Sequence, residues 1–142
     1  MPVRKANAVW EGDLKGGNGK ISLGSGAFEG RYSFGSRFEE AGGTNPEELL
    51  GAAEAGCFSM ALSAALGRAG HSPKRVATSA KVHLDKVGEG LSITKLELDC
   101  EGEVPGLDDA TFQDFATKAK ETCIVSRALG AVEITLEARL AG

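Results

Sequence analysis

Alternating apolar and polar positions dominate the first forty residues of the chain. In "NAVWEGDLKGGNGKISLGSG", residues 7–26, two short half-apolar runs flank the glycine-rich turn signal "GGNG". This pattern predicts a β-hairpin. The next stretch, "GRYSFGSRFEE", places Tyr32, Phe34 and Phe38 along one side and predicts a further strand that continues to about residue 39.

A helix is predicted to begin in the sequence "TNPEELLGAA", residues 44–53. Asn45 directly before Pro46 fits an N-cap residue followed by proline at the first helical position. Thr44 with Glu47 offers an alternative capping box.

Apolar residues at three- and four-residue spacing carry this helix to Gly67 or Gly70. Alanine and glycine leave little side-chain bulk on any of its faces, so the helix is expected to be central and buried on most sides. The predicted buried face consists of Leu50, Ala53, Cys57, Met60 or Ala61, and Ala64.

The pattern of the second half of the chain predicts two strands, a helix and a last strand. Residues 76–87 alternate regularly, and residues 90–106 alternate with a phase slip near Lys95 that predicts a β-bulge. Residues 106–130 have helical spacing and place Cys123 on the buried face, and residues 131–140 alternate as a last strand. The whole order predicts an α+β fold, in one domain over residues 1–142.

Composition and charge narrow the classes of function. The chain has 142 residues, 42% of them apolar, and a net charge of −4. A nucleic-acid partner is not expected, because such a surface needs a basic patch. We expect neither a membrane span, since no apolar run reaches about 18 residues, nor a secretory signal, and therefore a cytoplasmic protein.

Three cysteines, Cys57, Cys100 and Cys123, are the candidates for chemistry. They form no C-x-x-C pair and have no zinc-ligand spacing, so no metal is expected. A cysteine in an alanine-rich helix is usually a small core residue, and a reactive thiolate needs a cation from elsewhere in the fold. Residue physics alone leaves open whether Cys57 is a core residue or a nucleophile, and it favours a structural role for Cys100.

Two long segments resemble the OsmC/Ohr family of thiol-dependent peroxidases. They are "SRFEEAGGTNPEELLGAAEAGCFSMALSAALGRAG", residues 36–70, and "KETCIVSRALGAVEITL", residues 120–136. The segments "AVWEGDLKGGNGKISLGSG" and "LDKVGEGLSITKLELDCEGEVPGLD" are similar to the OsmC branch in particular. The resemblance covers essentially the whole chain.

The resemblance implies an OsmC-like fold in an intertwined homodimer, with two buried helices embraced by sheets from both chains. It implies a peroxidase that reduces organic hydroperoxides, and hydrogen peroxide less efficiently, in defence against oxidative and osmotic stress. No cofactor is implied. The partners expected are a peroxide and an external dithiol reductant of the lipoyl type.

The family's functional residues map onto four positions of this sequence. Cys57 of "CFS" corresponds to the peroxidatic cysteine, and Cys123 to the resolving cysteine that forms a disulfide with it. Arg37 of "SRFEE" is expected to stabilise the thiolate and the peroxide, and Glu47 of "NPE" to orient Arg37. Glu54, three residues before Cys57, is weighed as a residue that tunes the pocket.

Two features of the sequence bear on this mechanism. Ile124 follows Cys123 where the family motif usually has proline, which predicts that the helix continues past Cys123. Glu47 and Cys57 are ten residues apart, about 15 Å along one helix, so Arg37 must span part of the gap or the partner chain must supply Glu47. Two other readings stay open: a dimeric protein that binds a small apolar ligand, and a disulfide-based redox sensor.

Overall fold

The computed structural model describes residues 1–141, and the chain divides into two compact units, Met1–Leu49 and Leu50–Gly142. The elements are β1 Ala6–Glu11, β2 Asn18–Leu23, β3 Glu29–Tyr32, α1 Phe34–Phe38, α2 Pro46–Arg68, β4 Arg75–Val87, β5 Gly90–Glu103, α3 Asp109–Thr122, α4 Ile124–Ala128 and β6 Glu133–Leu140. The predicted α+β order is confirmed. The short helix α1 was not predicted from the sequence pattern, and the helix predicted over residues 106–130 is divided into α3 and α4. The expectation of a single domain stays a prediction.

The first unit contains an antiparallel three-stranded sheet of order β1-β2-β3. The predicted hairpin is confirmed by the pairing of β1 with β2. Gly19 in β2 is required by packing, because a Cβ there would lie 2.4 Å from the Tyr32 ring and 2.8 Å from the Trp10 ring. The two rings therefore meet over this glycine, with centroids 5.3 Å apart.

The strand predicted to continue to residue 39 is wrong beyond Tyr32. Ser33 caps a one-turn helix instead: its hydroxyl accepts from the Ser36 N–H at 3.0 Å, and the Ser33 N–H donates to Ser36 Oγ at 2.8 Å. This reciprocal capping satisfies two backbone donors locally, which a strand would leave to a neighbour. Phe34 and Phe38 then pack one turn apart, with ring centroids at 5.0 Å.

Helix α2 begins with the predicted cap. Asn45 Oδ1 accepts a hydrogen bond from the Glu48 N–H at 2.8 Å, which confirms Asn45 as the capping residue. The alternative capping box at Thr44 is wrong, because Thr44 lies beside β3 and its N–H donates to the Arg31 carbonyl at 2.8 Å.

The buried stripe of α2 differs from the predicted one. Glu54, Phe58, Leu62 and Leu66 are each fully buried. The opposite face is exposed, including Ala53, Gly56, Met60, Ala64 and Gly67. The expectation of burial on most sides is therefore wrong within this chain. Full burial is confined to one face of the helix, the face that carries the large apolar side chains of Phe58, Leu62 and Leu66.

Helix α2 also bears on the expectation that no segment could span a membrane. By length and composition alone the helix is long and apolar enough to cross a membrane. The mean hydropathy of an 18-residue window of the helix is 1.5, and 28% of that window is buried. Core helices of globular proteins pass the same test, so this is weak support for a span.

The second unit contains a sheet of order β4-β5-β6, in which β5 pairs antiparallel with β4 and parallel with β6. The predicted bulge is confirmed: the register shifts between His83 and Leu84, which pair with Lys95 and Ile93. The core of this unit is formed by buried apolar residues of α2, β5, α3 and the turns beside them: Phe58, Leu62, Leu66, Leu96, Leu98, Cys100, Val104, Phe112, Ala116, Ala119 and Cys123.

Candidate active site

Arg37 and Glu47 form an ion pair within the first unit. Arg37 Nε donates to both carboxylate oxygens of Glu47, at 2.9 Å to Oε1 and 3.2 Å to Oε2. Glu47 is buried, whereas 39% of the Arg37 side chain is exposed. The pairing uses the Nε–H of the guanidinium, and the four N–H donors on its other two nitrogens lie outside this ion pair.

Helix α1 holds Arg37 in place. The guanidinium carbon lies 5.2 Å from the centroid of the Phe38 ring, a distance typical of a cation–π contact. Ser36 ties α1 to the start of α2, since its hydroxyl donates to the Thr44 carbonyl at 2.7 Å and its carbonyl accepts from Asn45 Nδ2 at 3.0 Å. The short helix missed in the sequence is therefore the element that positions the predicted arginine.

Cys57 and Cys123 belong to one packed cluster in the second unit. Cys57 lies partly exposed on α2, and Cys123 is only 1% exposed. Both are free thiols, and Cys57 packs against the buried cluster that contains Cys123. Burial raises the pKa of Cys123, and the neighbouring Cys57 raises it further, so the folded chain favours the neutral thiol of Cys123.

The helix around Cys123 is broken, which corrects the prediction of one continuous helix past this residue. Cys123 has φ −54° and ψ 129°, so it ends α3 and starts α4. Its N–H donates to the Ala119 carbonyl at 2.9 Å, and its own carbonyl accepts from the Arg127 N–H at 3.0 Å. Ile124 is 76% exposed at the first position of α4, where a backbone N–H has no partner within the helix in any case. Proline is therefore not required for the break.

Glu54 and Ser126 form a second buried pair in this unit. Glu54 is fully buried, and its Oε1 accepts a hydrogen bond from the Ser126 hydroxyl. Its Oε2 is also buried and has no hydrogen-bond partner among residues 1–141. The sequence signal for Glu54 was its place one helical turn before Cys57; no signal pointed to Ser126.

The other candidate side chains lie in ordinary surroundings. Cys100 is fully buried on β5, and burial raises its pKa. His83 Nε2 lies 2.5 Å from Glu97 Oε2 on the partly exposed sheet. Among residues 1–141, the His, Cys, Asp and Glu side chains form no group of three that could hold a metal ion.

Comparison with known proteins places these features in a family. The sequence profile of the OsmC-like protein family matches residues 39–137, a span that includes Glu47, Cys57 and Cys123. The chain belongs to the OsmC family. It is 52% identical over 138 residues to peroxiredoxin OsmC of Escherichia coli strain K12, with 96% of each chain covered.

Two solved structures share the OsmC fold. An OsmC-like protein from Vibrio cholerae matches with a TM-score of 0.78 at 16% identity, over 97% of this chain and 99% of that one. The organic hydroperoxide resistance protein OhrB of Bacillus subtilis matches with a TM-score of 0.74 at 25% identity, over 94% and 97% of the two chains. The predicted family and OsmC-like fold are confirmed.

The enzyme class is confirmed by the same relationships. At 52% identity to a peroxiredoxin over nearly its whole length, this OsmC protein is a peroxidase with a role in peroxide stress. The roles expected for Cys57, Cys123, Arg37 and Glu47 stay predictions, as do the homodimer and the reductant.

Proposed function

We propose that this OsmC protein reduces organic hydroperoxides by a two-cysteine mechanism, with hydrogen peroxide as a poorer substrate. The observation that carries the proposal is that a partly exposed thiol, Cys57, packs against the buried cluster that contains a second free thiol, Cys123. The name of the Bacillus subtilis relative supports the same substrate class.

The reaction proceeds in two steps before reduction. The Cys57 thiolate attacks one peroxide oxygen, the O–O bond breaks, and the alkoxide takes a proton and leaves as an alcohol. The sulfenic acid on Cys57 is then attacked by the Cys123 sulfur; the S–O bond breaks, and water and a disulfide form. An external dithiol of the lipoyl type restores both thiols by exchange, as a reducing cytoplasm allows.

Arg37 and Glu47 serve the first step. The arginine stabilises the thiolate and donates hydrogen bonds to the peroxide oxygens, a role that suits its several fixed donors. Glu47 fixes its orientation through the contacts at 2.9 Å and 3.2 Å.

The active protein is a homodimer. The exposed face of α2 presents Ala53, Gly56, Met60, Ala64 and Gly67, a run of small and apolar residues suited to close helix contact with a second copy. The site is then completed either by Arg37 and Glu47 of the same chain or by the partner chain's copies of them.

Intact mass after one equivalent of cumene hydroperoxide tests the proposal. The mass of the reduced protein is expected to fall by two hydrogen atoms, two protons and two electrons that pass to the peroxide, and the change is expected to map to a Cys57–Cys123 disulfide. The Cys123→Ser variant is expected to retain a sulfenic acid that dimedone traps, whereas a Cys100→Ser control is expected to behave like wild type. An unchanged mass with all thiols free would reject the peroxidase mechanism and favour the binding of a small apolar ligand.

A further inference from the structure

The side chain of Glu54 is a buried polar group to which the two-cysteine mechanism gives no role. It is 0% exposed, and its Oε1 accepts a hydrogen bond from the hydroxyl of Ser126, which is also buried. Its Oε2 is buried and has no hydrogen-bond partner among residues 1–141. Because an unpartnered buried oxygen lowers stability, an apolar side chain would be the more stable occupant of this position. Stability alone therefore does not account for the carboxyl group.

The hydrogen bond between Glu54 and Ser126 joins two segments that each carry one of the thiols. Glu54 lies three residues before Cys57 on α2, so the two side chains share one face of that helix. Ser126 lies in the first turn of α4, which starts at Cys123. The Arg127 N–H closes that turn by donating to the Cys123 carbonyl at 3.0 Å. Ser126 and Cys123 therefore belong to one closed turn.

The remaining contacts of α4 do not fix its position with the same precision. Cys123 has φ −54° and ψ 129°, so the helical path is interrupted between α3 and α4. Val125 and Leu129 pack against the apolar core, and Ile124 is 76% exposed. Apolar packing is non-directional, whereas a hydrogen bond fixes both a distance and an angle. The hydrogen bond to Glu54 therefore supplies a directional contact between α4 and α2.

We propose that Glu54 and Ser126 are positioning residues for the resolving step. Their hydrogen bond holds the turn that begins at Cys123 against α2, so that the Cys123 sulfur stays within reach of the sulfenic acid on Cys57. The inference rests on the proposed function, because it needs that sulfenic acid. A disulfide forms only between cysteines whose Cα atoms lie about 4.4–6.8 Å apart, so a small displacement of the turn is enough to slow the step.

The resolving step balances without a further reactant. The Cys123 sulfur forms the S–S bond while the S–O bond of Cys57 breaks, and the departing hydroxide takes the thiol proton and becomes water. The Cys57 sulfur is thereby reduced and the Cys123 sulfur oxidised. Glu54 and Ser126 neither gain nor lose a proton, so their contribution is geometric. An amide should therefore replace the carboxyl group of Glu54, since its oxygen also accepts from a hydroxyl.

Single-turnover kinetics with cumene hydroperoxide separate the two chemical steps. Dimedone trapping follows the sulfenic acid on Cys57, and quenched intact mass follows the disulfide. Glu54→Leu and Ser126→Ala each remove one partner of the hydrogen bond, and the double variant replaces both partners by apolar groups. Glu54→Gln keeps an acceptor for the hydroxyl. Thr122→Ala is the matched control, because it removes an exposed hydroxyl at the end of α3 whose hydrogen bond stays within that helix.

The variants that break the hydrogen bond are expected to slow one step only. Glu54→Leu, Ser126→Ala and the double variant should each form the disulfide about 10- to 100-fold more slowly, with sulfenic acid formation within about twofold of wild type. The double variant is expected to be no slower than the slower single variant, since all three remove the same bond. Glu54→Gln and Thr122→Ala should form the disulfide within about threefold of wild type.

Urea denaturation distinguishes positioning from a structural role. The double variant removes the unpartnered oxygen together with the hydroxyl, so its urea midpoint is expected to equal or exceed that of wild type although its disulfide forms slowly. A structural role alone would lower the midpoint and the rate together. Should Glu54→Leu fail to fold, Ser126→Ala, which loses a single oxygen atom, gives the deciding rate.

Three results would overturn the inference. They are disulfide formation at the wild-type rate in folded Ser126→Ala, equal slowing of both steps, and a loss in Glu54→Gln as large as that in Glu54→Leu. Failure of the proposed function gives a different result: wild type itself would form neither a sulfenic acid nor a disulfide.

Discussion

The pairing of Arg37 with Glu47 shows how one contact can serve two purposes. Glu47 lies in the first turn of α2, where a carboxylate is favourable beside the positive end of the helix. The same carboxylate accepts from Arg37 Nε and is buried, unlike its neighbour Glu48. Burial with a specific cation partner is more than a helix-start residue requires.

Replacement of Glu47 tests its role at the scale of the residue. Glu47→Ala is expected to lower kcat/KM for cumene hydroperoxide at least tenfold, because Arg37 loses the acceptor that fixes its orientation. Steady-state peroxidase assays with a dithiol reductant measure this change. Glu48→Ala, which removes an exposed carboxylate in the same turn, is the control and is expected to retain activity. Full activity of Glu47→Ala would leave only the helix-start role.

The residue that caps α2 also connects this helix to α1. Asn45 uses Oδ1 to cap α2 and Nδ2 to hold the Ser36 carbonyl of α1. Asn45→Ala is expected to lower the free energy of unfolding by about 1 kcal/mol, through loss of the cap. Asn45→Asp keeps the cap without the Nδ2 donor, so urea denaturation should give an intermediate value. Equal stability of Asn45→Ala and wild type would show that the cap contributes nothing.

The packing of α3 on the sheet depends on a glycine in β5. A Cβ at Gly102 would lie 2.6 Å and 2.7 Å from ring atoms of Phe112, which is fully buried. Gly102→Ala is expected to lower the free energy of unfolding by about 1–3 kcal/mol, because the ring must shift in a close-packed core. Gly90→Ala, with no atom within 4 Å of its Cβ, is the matched control in the same strand. A loss no larger than the control's would mean that the ring moves freely.

The proposed homodimer depends on the exposed face of α2. Met60 is 76% exposed at the middle of this face. Met60→Lys is expected to convert the proposed homodimer to a monomer, since a charge would be buried between two helices without a partner. Light scattering after size-exclusion chromatography reports the mass. A wild-type mass of one chain would reject the homodimer, and a dimeric Met60→Lys variant would place the interface elsewhere.

Alkaline pH is expected to weaken the reduced protein as a whole. Burial raises the pKa of both Cys100 and Cys123, so each thiol ionises at lower pH in the unfolded chain than in the folded one. Their contribution to stability is complete below the unfolded thiol pKa of about 8.5 and falls as pH rises through the folded values. Urea denaturation from pH 7.5 to 10 in a reducing buffer measures the slope. Cys100→Ala should show a shallower decline, and an unchanged slope would contradict the argument.

The features that depend on local chemistry could be predicted from the order of residues alone. Alternation fixed the hairpin and the sheet strands, the phase slip located the bulge near Lys95, and Asn45 with Pro46 marked the start of α2. The motifs around Cys57 and Cys123 identified the family, because residue types at fixed spacing need no coordinates to be recognised.

The features that depend on distant neighbours could not be predicted in this way, because they arise when the chain folds. The break at Cys123 and the one-turn helix at Arg37 follow from capping and packing rather than from apolar spacing. The buried stripe of α2 could not be read from its sequence, because alanine and glycine give no strong periodicity and the sheet selects Phe58 and Leu62. The contact of Glu54 with Ser126 joins residues 72 positions apart, so this buried pair exists only in the folded chain.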